Sequence, residues 1–315
     1  MSAIAIDIAA RPVVLVTAAD LAPQALALLD RFRVVFAGKT PKPDEVVALC
    51  WEHNPVAIVV RYGKVTAAMM DAAPALKVIS KHGSGIDTID TAAAKTRGIE
   101  VRAAAGANAA AVAEHAVALL LACAKSVVQM NRRMHSGHWD KATHKSVELN
   151  GRTLGLVGLG AIGRRVAQVT DAMGMKVIGF DPYATALPAC IAPVALEAVW
   201  RDSDAISLHC PLTEDNRGLV NATTLAAMRR GVMLINTARG GLIDEAALLA
   251  AVRSGDVASA GLDSFAVEPP PADHPFFGEP NITLSPHIGG VTGDAYVNMG
   301  VAAANNVLAV ISINQ

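Results

Sequence analysis

Three charged side chains of complementary chemistry each follow a predicted strand in the second half of the chain. Arg239 follows the apolar run 232–236 in the segment Asn-Thr-Ala-Arg-Gly-Gly. Glu268 comes shortly after the run 259–263, and His287 follows Thr-Leu-Ser-Pro. Because ligands bind outside the carboxyl ends of parallel strands, we expect these three side chains to meet in one catalytic site.

The three residue types suit the interconversion of a 2-oxo acid and a 2-hydroxy acid. A guanidinium such as Arg239 grips a carboxylate through two parallel hydrogen bonds. The imidazole of His287 is suited to supply a proton to a carbonyl oxygen, and a carboxylate at Glu268 would favour the charged ring and fix its tautomer. The alternative to a catalytic role, for each residue taken singly, is a structural role or a place on the surface.

Residues 154–181 contain the sequence pattern of a dinucleotide-binding unit. The apolar run 154–157 ends at Gly158, and Gly160 and Gly163 complete the pattern G-x-G-x-x-G before a predicted helix. Asp181 ends a second apolar run about twenty residues on, where a carboxylate would bind a ribose 2′-hydroxyl and repel a 2′-phosphate. The pattern predicts NAD rather than NADP; the alternative is a Rossmann unit that binds no dinucleotide.

Strand and helix patterns alternate along both halves of the chain, which predicts the α/β class with parallel sheets. We predict strands at 13–17, 34–36, 57–61, 78–81, 154–157, 177–180, 205–209, 232–236, 259–263 and 282–285. We predict helices at 21–31, 43–54, 66–73, 109–124 and 293–311.

This order predicts two doubly wound, Rossmann-like domains with a cleft between them. We expect a discontinuous, flavodoxin-like substrate-binding domain at 1–104 plus 290–315 and an NAD-binding Rossmann domain at 105–289. The polar segment 130–148 is either a solvated arm or a dimer contact, and we expect a homodimer through the region 105–150.

Composition excludes several classes of protein. The 315 residues carry 27 basic and 28 acidic side chains, so no global field attracts nucleic acid or an anionic membrane. The four cysteines are far apart and form no CxxC pair, so we expect neither a disulfide framework nor a metal site. Charged residues interrupt the apolar stretches, so we expect no membrane span and a cytoplasmic protein.

The chain resembles the D-isomer-specific 2-hydroxyacid dehydrogenases over essentially its full length. The segments that carry the resemblance are the fingerprint at Gly158 and the blocks 81–90, 209–221, 235–241, 263–269 and 285–290.

The resemblance implies that Arg239 binds the substrate carboxylate and carbonyl, that His287 is the acid/base and that Glu268 tunes it. It implies NAD contacts at Ser84, Gly158, Gly160, Ala161, Ile162, Gly163, Asp181, Cys210, Thr237, Ala238, Asp263, Gly289 and Gly290, with Asp263 meeting the nicotinamide carboxamide. It implies substrate contacts at Arg61, Ser84, Gly85, Asn108, Arg239 and His287. A turn cap is the alternative role for Asp263, and a Gly-rich turn is the alternative for the loop around Ser84.

Within the family the chain looks most like the 3-phosphoglycerate dehydrogenases, so D-3-phosphoglycerate is the expected substrate, with Arg61 and Lys64 as possible phosphate ligands. His82 stands where relatives more often have Ala. Reduction of hydroxypyruvate or glyoxylate and oxidation of a sulfolactate-type acid are alternatives. A further alternative, of another class, is an NAD-bound corepressor-like scaffold. Because the sequence stops at Gln315, we expect no serine-sensing regulatory domain.

Overall fold

The computed structural model describes residues 11–311, which form two compact units. One unit comprises residues 11–108 and 291–311, and the other comprises residues 109–290. The predicted role of the first unit in substrate binding stays a prediction.

Twelve strands and eleven α-helices are found within residues 11–311. The strands are β1 (Val13–Val16), β2 (Arg33–Phe36), β3 (Ala57–Val60), β4 (Val78–Lys81), β5 (Glu100–Ala103), β6 (Thr153–Val157), β7 (Lys176–Phe180), β8 (Ile191–Pro193), β9 (Ala205–Leu208), β10 (Val232–Asn236), β11 (Val257–Leu262) and β12 (Ile282–Leu284). The helices are α1 (Pro23–Leu28), α2 (Pro43–His53), α3 (Ala67–Asp71), α4 (Thr91–Thr96), α5 (Ala109–Lys125), α6 (Val127–His135), α7 (Ala161–Ala172), α8 (Leu196–Asp202), α9 (Ala222–Ala227), α10 (Glu245–Ser254) and α11 (Gly293–Val310).

The first unit contains a five-stranded parallel sheet in the order β2-β1-β3-β4-β5. Strands β1 and β3 are short runs of buried Val, Ile, Leu and Ala, as expected for strands that are covered on both faces. The C-terminal helix α11 belongs to this unit. The Ser80 hydroxyl donates to the Ala303 carbonyl at 3.0 Å, and the Asn306 amide donates to the Ala103 carbonyl at 3.1 Å.

The second unit contains a seven-stranded parallel sheet in the order β12-β11-β10-β9-β6-β7-β8. Helix α5 packs on one face, where Leu119, Leu120 and Cys123 join a core with residues of β6 and β10. Gly261 of β11 lies under this helix, because a Cβ there would stand 2.9 Å from the Leu119 Cβ. The long Ala- and Leu-rich helix is therefore a core element of the second unit.

The two parallel-sheet α/β domains confirm the predicted fold class. The pattern missed β5 and β8, which lie at sheet edges and are partly exposed, so they lack the continuous apolar run of a central strand. Helix α1 is shorter than predicted and begins at Pro23, which is favoured in the first turn of a helix.

No single helix within residues 11–311 is long and apolar enough to cross a membrane. The consecutive helices α5 and α6 reach that length and composition only together, and they are bent by 61° relative to each other.

Candidate active site

The turn between β6 and α7 has the geometry that close approach of a dinucleotide requires. Gly158 has φ +96°, and a Cβ there would lie 2.6 Å from the Cys210 backbone nitrogen. A Cβ at Gly163 would lie 2.2 Å from the Gly158 carbonyl oxygen, so this glycine allows the helix to pack on the turn. Open space surrounds the Cβ position of Gly160. Helix α7 then begins at Ala161, and its first backbone N–H groups have no partners within the helix.

Asp181 is fixed at the end of β7 by two backbone amides. The Leu159 amide donates to one carboxylate oxygen at 2.8 Å, and the Tyr183 amide donates to the other at 2.9 Å. Each oxygen retains a second lone pair for a ribose hydroxyl. The carboxylate is therefore oriented beside the glycine-rich turn before any ligand binds.

Polar atoms after β9 and β10 fit a dinucleotide as well. The Thr237 hydroxyl and the His209 Nδ1 are buried and have no hydrogen-bond partner within residues 11–311. Burial lowers the pKa of His209 to about 4 and raises the pKa of the Cys210 thiol to about 11, so both groups are neutral at pH 7. A bound polar ligand would supply the missing partners.

The turn that carries Arg239 is held by the buried side chain of Asn236. The Asn236 amide donates to the Arg239 carbonyl at 2.8 Å, and its oxygen accepts from the Ala238 amide at 2.9 Å. Gly240 follows, and a Cβ there would lie 1.9 Å from the Phe265 carbonyl carbon. The turn that carries Arg239 is therefore held by Asn236, and the backbone after Arg239 packs on the loop that follows β11.

Glu268 and His287, which the sequence predicts as a pair, are hydrogen-bonded. The His287 Nδ1 lies 2.6 Å from a Glu268 carboxylate oxygen, and the other oxygen accepts from the Phe265 amide at 3.0 Å. The side chain of His287 is 46% exposed, and that of Glu268 is 36% exposed. Because Glu268 engages Nδ1, the nitrogen left to meet a substrate is Nε2.

Asp263 anchors the loop that presents His287. This carboxylate is 2% exposed and accepts from the Ser285 hydroxyl at 2.6 Å, the Ile288 amide at 2.9 Å and the Gly289 amide at 2.7 Å. The His115 Nε2 of helix α5 lies 2.8 Å from the same hydroxyl. Sequence reasoning missed His115 and this anchoring role, and the contact of Asp263 with a nicotinamide carboxamide stays a prediction.

Between its anchor points, the His287 backbone adopts a left-handed conformation with φ +55°. Its amide donates to the Ser285 carbonyl at 3.0 Å, which closes a tight turn over Pro286. Non-glycine residues in this region are strained, and such strain is concentrated at functional sites.

An apolar pocket of about 390 Å³ adjoins the Glu268–His287 pair. Its other lining residues are Phe265, Pro269, Pro270, Phe277, Leu284, Ser285 and Pro286. A pocket with apolar walls and one polar pair is typical of a small-molecule site.

The substrate contacts predicted in the first unit lie after β3, after β4 and in the segment between β5 and α5. The Arg61 Nη1 bonds the Asp20 carbonyl at 2.8 Å and also the Asp20 carboxylate. The Ser84 hydroxyl lies 2.9 Å from the Asn108 side-chain oxygen, and Gly85 is next to it in a partly buried loop. Sequence reasoning missed Asp20, because an acidic residue in an N-terminal loop carries no distinctive signal.

Within residues 11–311, no group of three or more His, Cys, Asp and Glu side chains is arranged to hold a metal ion. All four cysteines are free thiols.

Comparison with known proteins identifies relatives over most of the chain. Residues 117–289 match the family described as D-isomer specific 2-hydroxyacid dehydrogenase, NAD binding domain. The chain is 41% identical over 272 residues to a hydroxypyruvate reductase of Thermotoga maritima, covering 86% of this chain and 89% of the relative. It is 39% identical over 256 residues to a D-3-phosphoglycerate dehydrogenase of Archaeoglobus fulgidus, covering 80% of this chain and 49% of that protein.

A solved structure of a glyoxylate reductase from Paecilomyes thermophila superposes with a TM-score of 0.85 at 29% identity, covering 94% of each chain. The chain spans about half the length of the phosphoglycerate dehydrogenase relatives that it matches.

Proposed function

The chain belongs to the D-isomer-specific 2-hydroxyacid dehydrogenase family and is an NAD-dependent oxidoreductase, and we propose that Arg239, Glu268 and His287 are its catalytic residues. The observation that carries the proposal is the 2.6 Å bond between Glu268 and His287 on a loop held by a buried aspartate. The predicted family, enzyme class and cofactor are confirmed.

His287 moves the proton in this proposal. The nicotinamide cofactor, when bound, would supply the hydride to the substrate carbon as NADH and would accept it from that carbon as NAD⁺. In reduction, the Nε2 proton of His287 passes to the carbonyl oxygen as the hydroxyl forms; in oxidation, Nε2 takes that proton back. Glu268 balances the charge of the imidazolium and fixes Nδ1 as a donor, so that Nε2 is the nitrogen that exchanges the proton.

Arg239 orients the acid. Its guanidinium would bind the substrate carboxylate through two N–H groups, and its placement directly after β10 on a fixed turn suits a positioning role. In favourable cases, the orientation of a bound substrate relative to the reacting groups lowers the activation barrier by on the order of 7 kcal/mol or more.

Residues of the glycine-rich turn would hold NAD. Gly158, Gly160 and the first turn of α7 suit the pyrophosphate, and Asp181 suits the adenosine ribose hydroxyls. The orphaned hydroxyl of Thr237 supports a polar ligand at the same edge of the sheet.

Three candidate substrates are supported by different relatives. Hydroxypyruvate is supported by the Thermotoga maritima relative, which this chain covers over most of its length. D-3-Phosphoglycerate, the substrate that the sequence favours, is supported by relatives that this chain covers over about half. Glyoxylate is a third candidate.

Turnover of a panel of 2-oxo acids, followed by NADH absorbance, tests the proposal. We expect measurable turnover, and we expect Arg239→Ala and His287→Ala to lower kcat/KM at least 10²-fold with little change in the NAD dissociation constant measured by calorimetry. Arg201→Ala is the matched control, because this exposed arginine bonds the neighbouring Asp202.

Equal loss of NAD binding and turnover in Arg239→Ala would contradict the assigned role. A protein that binds NAD and turns over no acid in the panel would favour the corepressor-like scaffold instead. The homodimer through residues 105–150 and the cytoplasmic location stay predictions. Met134 and Trp139 in that region are exposed and apolar, and a homodimer would bury them.

A further inference from the structure

Two glutamates accept hydrogen bonds from consecutive amides of the loop that follows β11. The Phe265 amide donates to a carboxylate oxygen of Glu268 at 3.0 Å, and the Ala266 amide donates to a carboxylate oxygen of Glu245 at 2.9 Å. Glu268 lies on this loop, whereas Glu245 is the first residue of helix α10. The loop that carries Glu268 is therefore bonded to a helix through Glu245.

The second carboxylate oxygen of Glu245 is bonded to a histidine. It lies 3.3 Å from the Nε2 of His274. The Nδ1 of the same ring accepts from the Phe276 amide at 3.3 Å, so the proton of the neutral ring is on Nε2, which donates to Glu245. We call the hydrogen bonds that run from the Phe276 amide through His274 and Glu245 to the Ala266 amide the Glu245–His274 link.

The Glu245–His274 link is sheltered from water and packed against aromatic rings. The side chain of His274 is 9% exposed, and that of Glu245 is 23% exposed. The His274 ring meets Phe265 and Phe276 edge to face, with centroids 5.7 and 4.8 Å apart, respectively. Phe276 belongs to the core of the second unit. Because hydrogen bonds are stronger where water is excluded, the link has a rigid base in this core.

The peptide that Glu245 holds also packs against the turn after β10. A Cβ at Gly240, in that turn, would lie 2.4 Å from the Ala266 nitrogen and 1.9 Å from the Phe265 carbonyl carbon. The same Ala266 nitrogen donates to Glu245. This peptide is therefore held both by a close contact with Gly240 and by a hydrogen bond with α10.

We propose that Glu245 and His274 are positioning residues that act through Glu268. The inference rests on the proposed function, in which the Glu268 carboxylate bonds Nδ1 of His287 and fixes the nitrogen that exchanges the proton. Without the Glu245–His274 link, the loop that carries Glu268 would lose its bond to α10. The Glu268 carboxylate would then be aligned with His287 for less of the time, and the proton step would slow.

The main test is Glu245→Ala, measured with the 2-oxo acid that the natural chain turns over fastest. We expect kcat to fall about tenfold, with KM and the NAD dissociation constant changed by less than twofold, because the proton step is affected and binding is not. Glu197→Ala is the matched control, since Glu197 is an exposed glutamate in the first turn of α8 in the same unit. The thermal midpoint of each variant verifies that it is folded.

The same substitution in a Glu268→Ala background separates positioning from a general structural role. With no carboxylate left at position 268, Glu245→Ala has nothing to misalign. We therefore expect its effect on kcat to shrink from about tenfold to less than twofold, as is typical of residues that act through one another. A loss of general stability would lower kcat by the same factor in both backgrounds.

Two conservative variants examine the individual bonds. His274→Asn keeps an acceptor for the Phe276 amide, because Asn is favoured at this N-cap position, and removes the nitrogen that reaches Glu245. We expect kcat to fall about threefold, since the bond between Glu245 and Ala266 remains. Glu245→Gln keeps one acceptor oxygen for Ala266 but presents an N–H group to His274, so its kcat should lie between those of the natural chain and Glu245→Ala.

The outcomes separate this inference from the proposed function. Equal effects of Glu245→Ala in the two backgrounds, or a raised KM with unchanged kcat, would overturn the inference. An unchanged kcat in Glu245→Ala, with turnover still lost in His287→Ala, would overturn it as well and leave the proposed function standing. Full turnover in His287→Ala, or no turnover of any acid by the natural chain, would overturn the proposed function itself.

Discussion

The carboxyl edges of the two sheets each carry an arginine, a histidine and acidic side chains, and the acidic side chain bonds the histidine at one edge and the arginine at the other. In the second unit, His287 is half exposed and bonded through Nδ1 to Glu268. In the first unit, His82 is buried, and its Nε2 has no partner within residues 11–311. The same residue type is thus prepared for proton exchange at one edge and for neutral packing at the other.

The difference originates in the loops. His82 directly follows β4, its amide donates to the Val60 carbonyl, and its ring packs against Tyr296. His287 is separated from β12 by a tight turn, and Asp263 holds this turn through hydrogen bonds with Ser285 and Ile288. Of these two strand-end histidines, the exposed one is the one whose loop is bonded to a buried aspartate.

Asp263→Asn tests this explanation most severely. An amide cannot accept all the hydrogen bonds that the carboxylate accepts from Ser285, Ile288 and Gly289, so the His287 loop should lose its fixed position. We expect kcat to fall by about 10²-fold, with a loss of about 1–3 kcal/mol in unfolding free energy from a buried donor left unpaired. Steady-state kinetics and denaturant unfolding measure the two effects.

Ser285→Ala is the milder companion to Asp263→Asn, because it removes one of these bonds and leaves the two backbone amides in place. Its kcat should lie between those of the natural chain and Asp263→Asn. An Asp263→Asn protein with unchanged kcat would show that the loop holds His287 without this anchor.

Asp181 is expected to place a negative charge where the 2′-phosphate of NADP would otherwise be accepted. For Asp181→Ala we expect the preference for NAD over NADP, as a ratio of kcat/KM values, to fall by about tenfold because the repulsion of the 2′-phosphate is removed. Asp171→Ala, which removes an exposed carboxylate from α7, should leave the ratio unchanged. If both variants behaved alike, Asp181 would have no special role in cofactor choice.

Acid should lower the stability of the protein through its buried histidines. Because burial lowers the pKa of folded His82 from its ordinary value of 6.5 to about 4, its contribution to stability is complete above pH 6.5 and is lost as the pH falls towards 4. The contribution is at most about 3 kcal/mol. His82→Ala should therefore weaken the fall of the thermal midpoint between pH 6.5 and 4.5.

His209 has a pKa of about 4 in the second unit, so part of that acid response should remain in His82→Ala. An identical slope in the natural chain and the variant would mean that His82 does not stay neutral in the folded protein. The pH slope is the relevant readout, because removing the ring also lowers stability at every pH.

Much of the second unit could be read from its sequence. The bounds of β10 match the prediction, and the spacing of Gly158, Gly163 and Asp181 predicts a turn whose close contacts are found in the structure. The sequence also predicts that Glu268 partners His287, and the two side chains are hydrogen-bonded. These features depend on short apolar runs, on glycines and on strand ends, which are local properties of the chain.

The first unit was less accessible to sequence reasoning. Arg61 was expected to bind substrate, and a phosphate role was considered, but no pattern predicts that Asp20 and Tyr296 surround it. The strand β5 was missed because its residues Glu100 and Arg102 break the apolar run. Edge strands and paired surface charges depend on neighbours rather than on periodicity.

The sequence by itself determined the two parallel sheets, the glycine-rich turn and the strand ends from which the charged residues project. Those features follow from steric limits on single residues and from the burial of short apolar runs. Only the tertiary structure decided that His287 is held outward by Asp263, and that Arg61 is matched by Asp20 and covered by Tyr296. The bonds of Asp263 with Gly289, of Arg61 with Asp20 and of Tyr296 with Asp20 join residues 26, 41 and 276 positions apart, so these contacts exist only once the chain has folded.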